Sequence, residues 1–327
     1  MINRILYIDK LKGFAILLVV MGHLTDKSMV NEGSILNAII FSIHMPLFMF
    51  LSGIFAFNRN ITFKNLLYKR FLRLLMPYLF IGGGYVLMKD FGLQSALKSI
   101  GGYWFLPTLF LCTMSGYLIV TLNKYIYKKQ GLYASEILIA SIIWFIALAL
   151  YFLLKRNNIM IPYFLNTIKM FPFFYIGSLY GRYEKIKAVI NNNATLTISI
   201  LLYILLFFYP VNIGFNVQGL FAIVICLQLF SKYDTSIPER LSVIGKNSLE
   251  IYVFHWFLLP DLTFMNNIQN PYNSNNLNND NVILMFTVLS AIALIISVIC
   301  IVISKVFKNS TVFSFLLFGI TGKGNHN

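Results

Sequence analysis

The sequence predicts an all-α fold, a polytopic membrane bundle of about ten transmembrane helices. Three observations predict this class. Hydrophobic residues make up 58% of the 327-residue chain and charged residues only 11%, whereas soluble domains carry roughly 25% charged residues. The mean hydropathy is +0.74. Long uncharged runs such as Ile283–Ser304 are typical of spanning helices, because the strands of a membrane barrel alternate in polarity over short stretches.

Ten apolar segments are long enough to cross a bilayer, and together they form one domain over residues 1–327. We place the spans at residues 11–26, 35–57, 72–88, 103–123, 136–154, 164–181, 194–211, 214–231, 247–265 and 282–304. With a cytoplasmic N-terminus, the cytoplasmic segments contain 20 of the 26 Lys and Arg residues. Basic residues accumulate on the cytoplasmic side of membrane proteins, so both termini are predicted to be cytoplasmic.

The charge and the cysteines exclude several other classes. The net charge of +15 does not predict nucleic-acid binding, because the basic residues lie in loops between apolar runs and form no basic stripe. The three cysteines lie far apart within apolar runs, which favours small buried side chains over disulfides or a zinc site. The histidines have no carboxylate or thiol at ligand spacing, so no metal is predicted. Membrane lipid is an expected partner.

Few ionisable residues fall within or beside the predicted spans. An ionisable side chain is costly to place in a membrane, so each of these residues is a candidate for function. We single out His23, His44, Glu250 and His255 within spans, and Lys12, Arg70 and Arg73 at inner boundaries.

The first span places a cation below a histidine. Lys12 and His23 are eleven residues apart, about three helical turns, so they share a face and are separated by about 16 Å along the axis. A lysine that snorkels beneath an interfacial histidine would have the same spacing. Asp9 is a natural helix N-cap, and that interpretation is at least as good as a catalytic one.

The second and third spans contain two further candidate groups. His44 lies beside Pro46, which removes a backbone hydrogen bond, so His44 lines a polar cavity or is a packed histidine that satisfies the freed carbonyl. Ser52 follows in the same span. Arg70 and Arg73 are at i, i+3, a spacing that suits a phosphate-bearing ligand from the cytoplasm but is also that of a basic membrane anchor.

Two later spans contain polar and aromatic candidates. Trp104 begins the fourth span, where tryptophan usually belongs to an interfacial aromatic belt and less often stacks on a sugar. In the ninth span Ser248, Tyr252 and His255 form a polar stripe, which indicates a face toward the bundle interior.

These motifs, in this order, resemble the membrane acyltransferase-3 family of bacterial envelope acyltransferases. The resemblance covers most of the chain. It rests on Asp9-Lys10-Leu11-Lys12-Gly13 running to His23, His44-Met45-Pro46 to Ser52-Gly53, Arg70-x-x-Arg73, Trp104-Phe105-Leu106, and Ser248-Leu249-Glu250-Ile251-Tyr252-x-x-His255.

The resemblance implies an O-acetyltransferase of the inner membrane, similar to the stand-alone members of the family. It implies that the donor is cytoplasmic acyl-CoA, most often acetyl-CoA, and that the acceptor is an envelope glycan or a lipid-linked sugar. It implies that His23 is catalytic and that Lys12, Arg70 and Arg73 contact the donor. Many relatives have arginine at the position of Lys12.

The sequence leaves the chemical route open. His23 takes a hydroxyl proton as a general base, or it carries the acyl group covalently. Ser52, Tyr252 and His255 are candidate donors to an oxyanion. A transporter or flippase for a lipid-linked sugar is the rival function, because broken helices and buried polar groups suit it too.

Overall fold

The structure is a computed structural model. It describes residues 6–27, 35–57, 62–84, 100–127, 133–159, 161–209, 216–260, 262 and 279–320. Parts of four predicted spans, residues 85–88, 210–211, 214–215, 261 and 263–265, lie outside the described residues.

The described residues form helices and no strands, so the predicted all-α class is confirmed for them. The α-helices are α1 (Leu6–Lys27), α2 (Ile35–Ile54), α3 (Phe63–Arg70), α4 (Phe105–Tyr127), α5 (Tyr133–Arg156), α6 (Phe164–Arg182), α7 (Glu184–Ile190), α8 (Asn193–Phe208), α9 (Gln218–Lys232), α10 (Arg240–Lys246), α11 (Ser248–Leu258), α12 (Asn279–Lys308) and α13 (Thr311–Phe318). Two π-helical segments, Phe71–Leu75 and Tyr78–Gly82, follow α3, and 3₁₀ turns occupy Ile100–Tyr103 and Asp234–Ser236.

Several helices have the length and composition of membrane spans. Among the described residues α2, α4, α5 and the Ile283–Lys308 part of α12 are long and apolar enough to cross a bilayer. α7 and α8 meet at a bend of 56° and would together make a fifth, broken span. Large apolar side chains of α5, such as Leu138, Phe145 and Leu153, face outward, as lipid-facing side chains do. Ten spans and two cytoplasmic termini stay predictions.

Contacts divide the chain into two compact units. The first contains α1, the first part of α2, most of α8, and α9 to α12. Within it α1 packs against α9, α10, α11 and α12. The backbones of α1 and α10 touch, since a Cβ on Gly245 would overlap the carbonyl oxygen of Asp9, and one on Gly13 would overlap that of Leu241. Small residues permit such close helix crossings in membrane proteins.

The second unit contains the end of α2, α3 to α7 and α13. α6 packs against α4 and α5 within it. The predicted third span differs most from expectation, because the helix begins at Phe63 and widens into the two π-helical segments around Pro77. Proline has no N–H to donate, and wider winding is one way in which a helix adapts to the loss. α13 packs against both π-helical segments.

Candidate active site

The first helix carries Asp9, Lys12 and His23 on one uninterrupted segment. Lys12 and His23 therefore lie about three turns apart on one helix, as predicted. Asp9 is buried in the first turn of α1. The described helix already includes residues 6 to 8, so the N-cap interpretation of Asp9 is wrong. Its charge in the first turn still interacts favourably with the helix dipole.

His23 lies in a cluster of ionisable and aromatic side chains within the first unit. Its ring stacks on that of His255, with centroids 5.3 Å apart and planes inclined by 23°. The ring of Trp256 is 4.3 Å away. On the Nδ1 side, the Oδ2 atom of Asp26 lies 3.7 Å from the imidazole. The sequence did not single out Asp26, although it follows His23 at the i, i+3 spacing at which helical side chains meet.

His44 belongs to the same neighbourhood. It is buried, and it lies near enough to His23 and Asp26 to interact with them electrostatically. Its Nδ1 lies 2.6 Å from the carbonyl oxygen of Ile40. The carbonyl that Pro46 leaves without its helical N–H is that of Ser42, so His44 bonds a different carbonyl from the one the proline frees. We call His23, Asp26, His44 and His255 the histidine cluster.

The histidine cluster suits proton transfer. A carboxylate on the Nδ1 side of an imidazole favours a proton on Nδ1 and leaves the Nε2 lone pair free to accept another. The distance of 3.7 Å between His23 and Asp26 is longer than a hydrogen bond, and catalytic hydrogen bonds are often long in unliganded proteins. The described residues contain no group of three or more His, Cys, Asp or Glu side chains that could hold a metal ion.

α11 supplies the other predicted residues of the first unit. Tyr252 is buried with its ring centroid 5.7 Å from that of His255, so the structure brings these two members of the predicted stripe together. Ser248 is the first residue of α11. The carboxylate of Glu250 is paired with Lys308 of α12 at 2.5 Å. That pair joins two helices and accounts for Glu250 without a catalytic role.

The sequence also missed an anchor at the start of α1. Lys10, only 2% exposed, pairs with Asp234 at 2.8 Å and donates to the carbonyl oxygen of the same residue at 2.5 Å. Asp234 begins the 3₁₀ turn between α9 and α10. The pair therefore holds the helix that carries His23 against its neighbours within the unit.

The predicted arginine pair lies in the second unit. Arg70 ends α3, is half-buried and donates to the carbonyl oxygen of Ala56 at 3.4 Å, whereas Arg73 is exposed within the first π-helical segment. Burial, and to a smaller extent the nearby charge of Arg73, lower the pKa of Arg70 to about 10. Arg70 remains cationic at neutral pH, and a bound anion would relieve the repulsion between the two guanidinium groups.

The remaining predicted residues of the second unit have simpler surroundings. Ser52 is half-buried near the end of α2. Trp104 is half-buried directly before α4, and its carbonyl oxygen accepts a hydrogen bond from Thr108 at 2.8 Å. This position matches the predicted start of the fourth span.

A buried ion pair at the α5–α6 hairpin is a third feature that sequence reasoning missed. Glu136, which is 1% exposed, pairs with Arg182 and accepts hydrogen bonds from the hydroxyls of Tyr175 at 2.7 Å and Tyr183 at 2.6 Å. Burial and the hydrogen bond to Glu136 raise the pKa of Tyr183 to about 12, so it is a donor at neutral pH. The signal was present, since an acid starting one span and an arginine ending the next lie on the same side of a membrane.

The apolar helices define a multi-pass membrane protein, and its histidine cluster contains two buried histidines, His44 and His255. A comparison with protein families assigns this class more closely. Residues 5–303 match the family model described as Acyltransferase domain, that of the acyltransferase-3 family. The chain belongs to that family, and the resemblance drawn from the sequence motifs is confirmed. Comparisons with curated proteins and with solved structures found no significant match.

Proposed function

We propose that this membrane acyltransferase transfers an acetyl group from cytoplasmic acetyl-CoA to a hydroxyl of a bacterial envelope glycan or its lipid-linked precursor. The observation that carries the proposal is the histidine cluster, in which His23 has a carboxylate on one side and a buried imidazole on the other. The acetyl group, the glycan and the inner-membrane location rest on the family resemblance of the sequence motifs.

The proposed reaction needs one proton acceptor. The hydroxyl oxygen attacks the thioester carbonyl carbon while its proton moves to Nε2 of His23. The carbon–sulfur bond then breaks, and the proton passes from His23 to the departing thiolate, which leaves as free coenzyme A. Asp26 stabilises the imidazolium that forms between these two steps. In the covalent variant, Nε2 of His23 attacks the thioester carbonyl carbon and the carbon–sulfur bond breaks, which releases the coenzyme A thiolate. The hydroxyl then attacks the acyl-imidazole carbonyl, the bond to Nε2 breaks to restore neutral His23, and the hydroxyl proton goes to the thiolate.

In this proposal, cationic side chains bind the phosphates of the acyl donor, acetyl-CoA. Arg70 and Arg73 offer two mutually repelling guanidinium groups, which a phosphate-bearing ligand would stabilise. Lys12, at the other end of the helix that carries His23, stays a predicted donor contact in the first unit.

The decisive experiment measures thiol release from acetyl-CoA by purified protein in detergent, together with the acetyl content of envelope glycans in cells. We expect turnover without any ion gradient, and His23→Ala should lower it by roughly 10² to 10⁴. His326→Ala, which lies outside the described residues, is the matched control and should retain activity. Wild-type turnover by His23→Ala would overturn the assignment of the catalytic residue.

The same assay tests the donor site. Arg70→Ala and Arg73→Ala should raise the KM for acetyl-CoA more than they lower kcat, whereas Lys69→Ala, which removes a neighbouring exposed cation, should not. Absence of any thioester cleavage by the wild-type protein would favour the transporter or flippase alternative. A glycan mass that is unchanged when the gene is removed would refute the proposed acceptor.

A further inference from the structure

Among the described residues, one ring nitrogen of His255 has hydrogen-bond partners and the other has none. It is fully buried in α11, and its Nδ1 lies 3.1 Å from the carbonyl oxygen of Ile251 and 2.8 Å from that of Tyr252. Carbonyl oxygens only accept hydrogen bonds, so the proton of the imidazole is on Nδ1. The Nε2 atom of a neutral imidazole in this tautomer is an acceptor.

No described residue donates a hydrogen bond to the acceptor nitrogen. Nε2 of His255 is buried and makes no hydrogen bond to any part of the chain that the structure describes. Buried polar atoms are nearly always paired in native proteins, and an exception asks for an explanation. The Nδ1 atom of His44 likewise lies 2.6 Å from a backbone carbonyl oxygen, that of Ile40, which fixes the same tautomer in that histidine.

His23 does not supply the missing donor. Its ring lies nearly parallel to that of His255, at 23°, with the centroids 5.3 Å apart. The lone pair of an imidazole nitrogen lies in the plane of the ring, so a ring stacked on its face cannot donate to it. The described surroundings of His255 also include no carboxylate that could pair with an imidazolium, and an unpaired charge is costly to bury.

We propose that Nε2 of His255 accepts a hydrogen bond from a hydroxyl of the acyl acceptor adjacent to the one that is acylated. His23 takes the proton of the reacting hydroxyl, and the stacked His255 holds its neighbour, so the site selects a vicinal diol such as a sugar ring provides. His255 forms no covalent bond in the reaction. This inference rests on the proposed function and narrows the class of acyl acceptor to vicinal diols.

The tautomer also revises one expectation. His255 was a candidate donor to the oxyanion, but its only proton is already given to two backbone carbonyls. Nε2 can accept from a hydroxyl and cannot donate to an oxyanion in this form. A site that holds a substrate hydroxyl by a buried acceptor discriminates strongly against analogues that lack it.

Two substitutions of His255 distinguish the role of its acceptor nitrogen from that of the rest of the side chain. In His255→Asn the amide NH₂ takes the place of Nδ1 and still donates to the carbonyl of Tyr252, while no acceptor remains at the Nε2 position. His255→Gln restores a polar group near that position. If the two variants have equal melting temperatures in detergent solution, a difference in activity between them does not come from folding.

The first measurement is acyl transfer to two soluble probes, cyclohexanol and trans-cyclohexane-1,2-diol. We expect wild-type kcat/KM to favour the diol by roughly 10- to 100-fold. The preference should vanish in His255→Asn and return in part in His255→Gln. Equal use of both probes by the wild-type protein, or an undiminished diol preference in His255→Asn, would overturn the proposal.

The second measurement needs no turnover. In ¹⁵N-histidine spectra, the signal lost in His255→Asn should show a protonated Nδ1 and a bare Nε2, and the Nε2 resonance should move when the diol is added. A protonated Nε2, or a resonance that the diol leaves in place, contradicts the inference. Failure of the wild-type protein to cleave acetyl-CoA would instead contradict the proposed function, so the two failures are distinguishable.

Discussion

Replacement of Asp26 by asparagine tests the role of the carboxylate beside His23. The change removes a negative charge and keeps the size of the side chain. If His23 is the general base, it becomes positively charged as the acceptor hydroxyl loses its proton. Asp26 then stabilises the transition state more than the neutral ground state, and its loss lowers kcat/KM.

The distance and the exposure of the pair set the magnitude. Two unit charges 3.7 Å apart interact by about 1 kcal/mol in a water-like medium and by about 4 kcal/mol at an effective dielectric constant of about 20. Asp26 is 54% exposed, so the water-like limit applies. About 1 kcal/mol corresponds to roughly a fivefold change in rate. We therefore expect Asp26→Asn to retain about a fifth of the wild-type kcat/KM.

The assay is thiol release from acetyl-CoA by matched preparations in detergent. Glu184→Gln is the control, because Glu184 forms an exposed i, i+3 pair with Lys187 at 3.6 Å and the substitution removes the same charge away from the cluster. An unchanged kcat/KM in Asp26→Asn would refute the assignment of Asp26. A loss of about 10³-fold would refute the water-like treatment, since it corresponds to the interaction at an effective dielectric constant of about 20.

Two further predictions concern stability. Arg182→Leu leaves the buried carboxylate of Glu136 without its cation, so the free energy of unfolding, measured in mixed SDS micelles, should fall by about 3–5 kcal/mol. Replacing both residues by leucine should restore part of that loss. A double variant less stable than Arg182→Leu would contradict this prediction. Gly245→Ala places a Cβ against the Asp9 carbonyl and should lower the free energy of unfolding by about 1–3 kcal/mol. Gly83→Ala is the control, because a Cβ there meets nothing within 4 Å and should not destabilise the protein. Equal effects of the two substitutions would disprove the close crossing of α1 and α10.

Local sequence patterns predicted the parts of this structure that depend on one segment. The eleven-residue spacing of Lys12 and His23 needs only an unbroken helix, and α1 runs through both. The i, i+3 relation of Tyr252 and His255 likewise survives in α11. The arginine motif shows where local patterns stop being reliable. Arg70 ends α3 and Arg73 lies in the π-helical segment that follows, where regular α-helical spacing no longer tells which side chains share a face.

Pairings between segments were not predictable in the same way. His23 and His255 are separated by most of the chain, and only the packing of α11 against α1 brings their rings together. The glycine of the first motif has a packing role, because Gly13 lets the backbone of α10 approach. A motif in sequence therefore combines residues selected for chemistry with residues selected for close helix contact, and spacing alone does not separate them.

Hydrogen-bond and ion-pair partners distinguish buried polar residues with a structural role from a buried residue that is a candidate for substrate contact. The cost of burying an ionisable group made each of them a functional candidate from sequence. Among the described residues Glu136, Glu250 and Lys10 each have an oppositely charged partner, which explains their burial by structure alone. His255 has an acceptor nitrogen that nothing described fills. A buried group that the fold leaves incomplete is the better candidate for contact with a substrate, because the ligand then supplies what the protein does not.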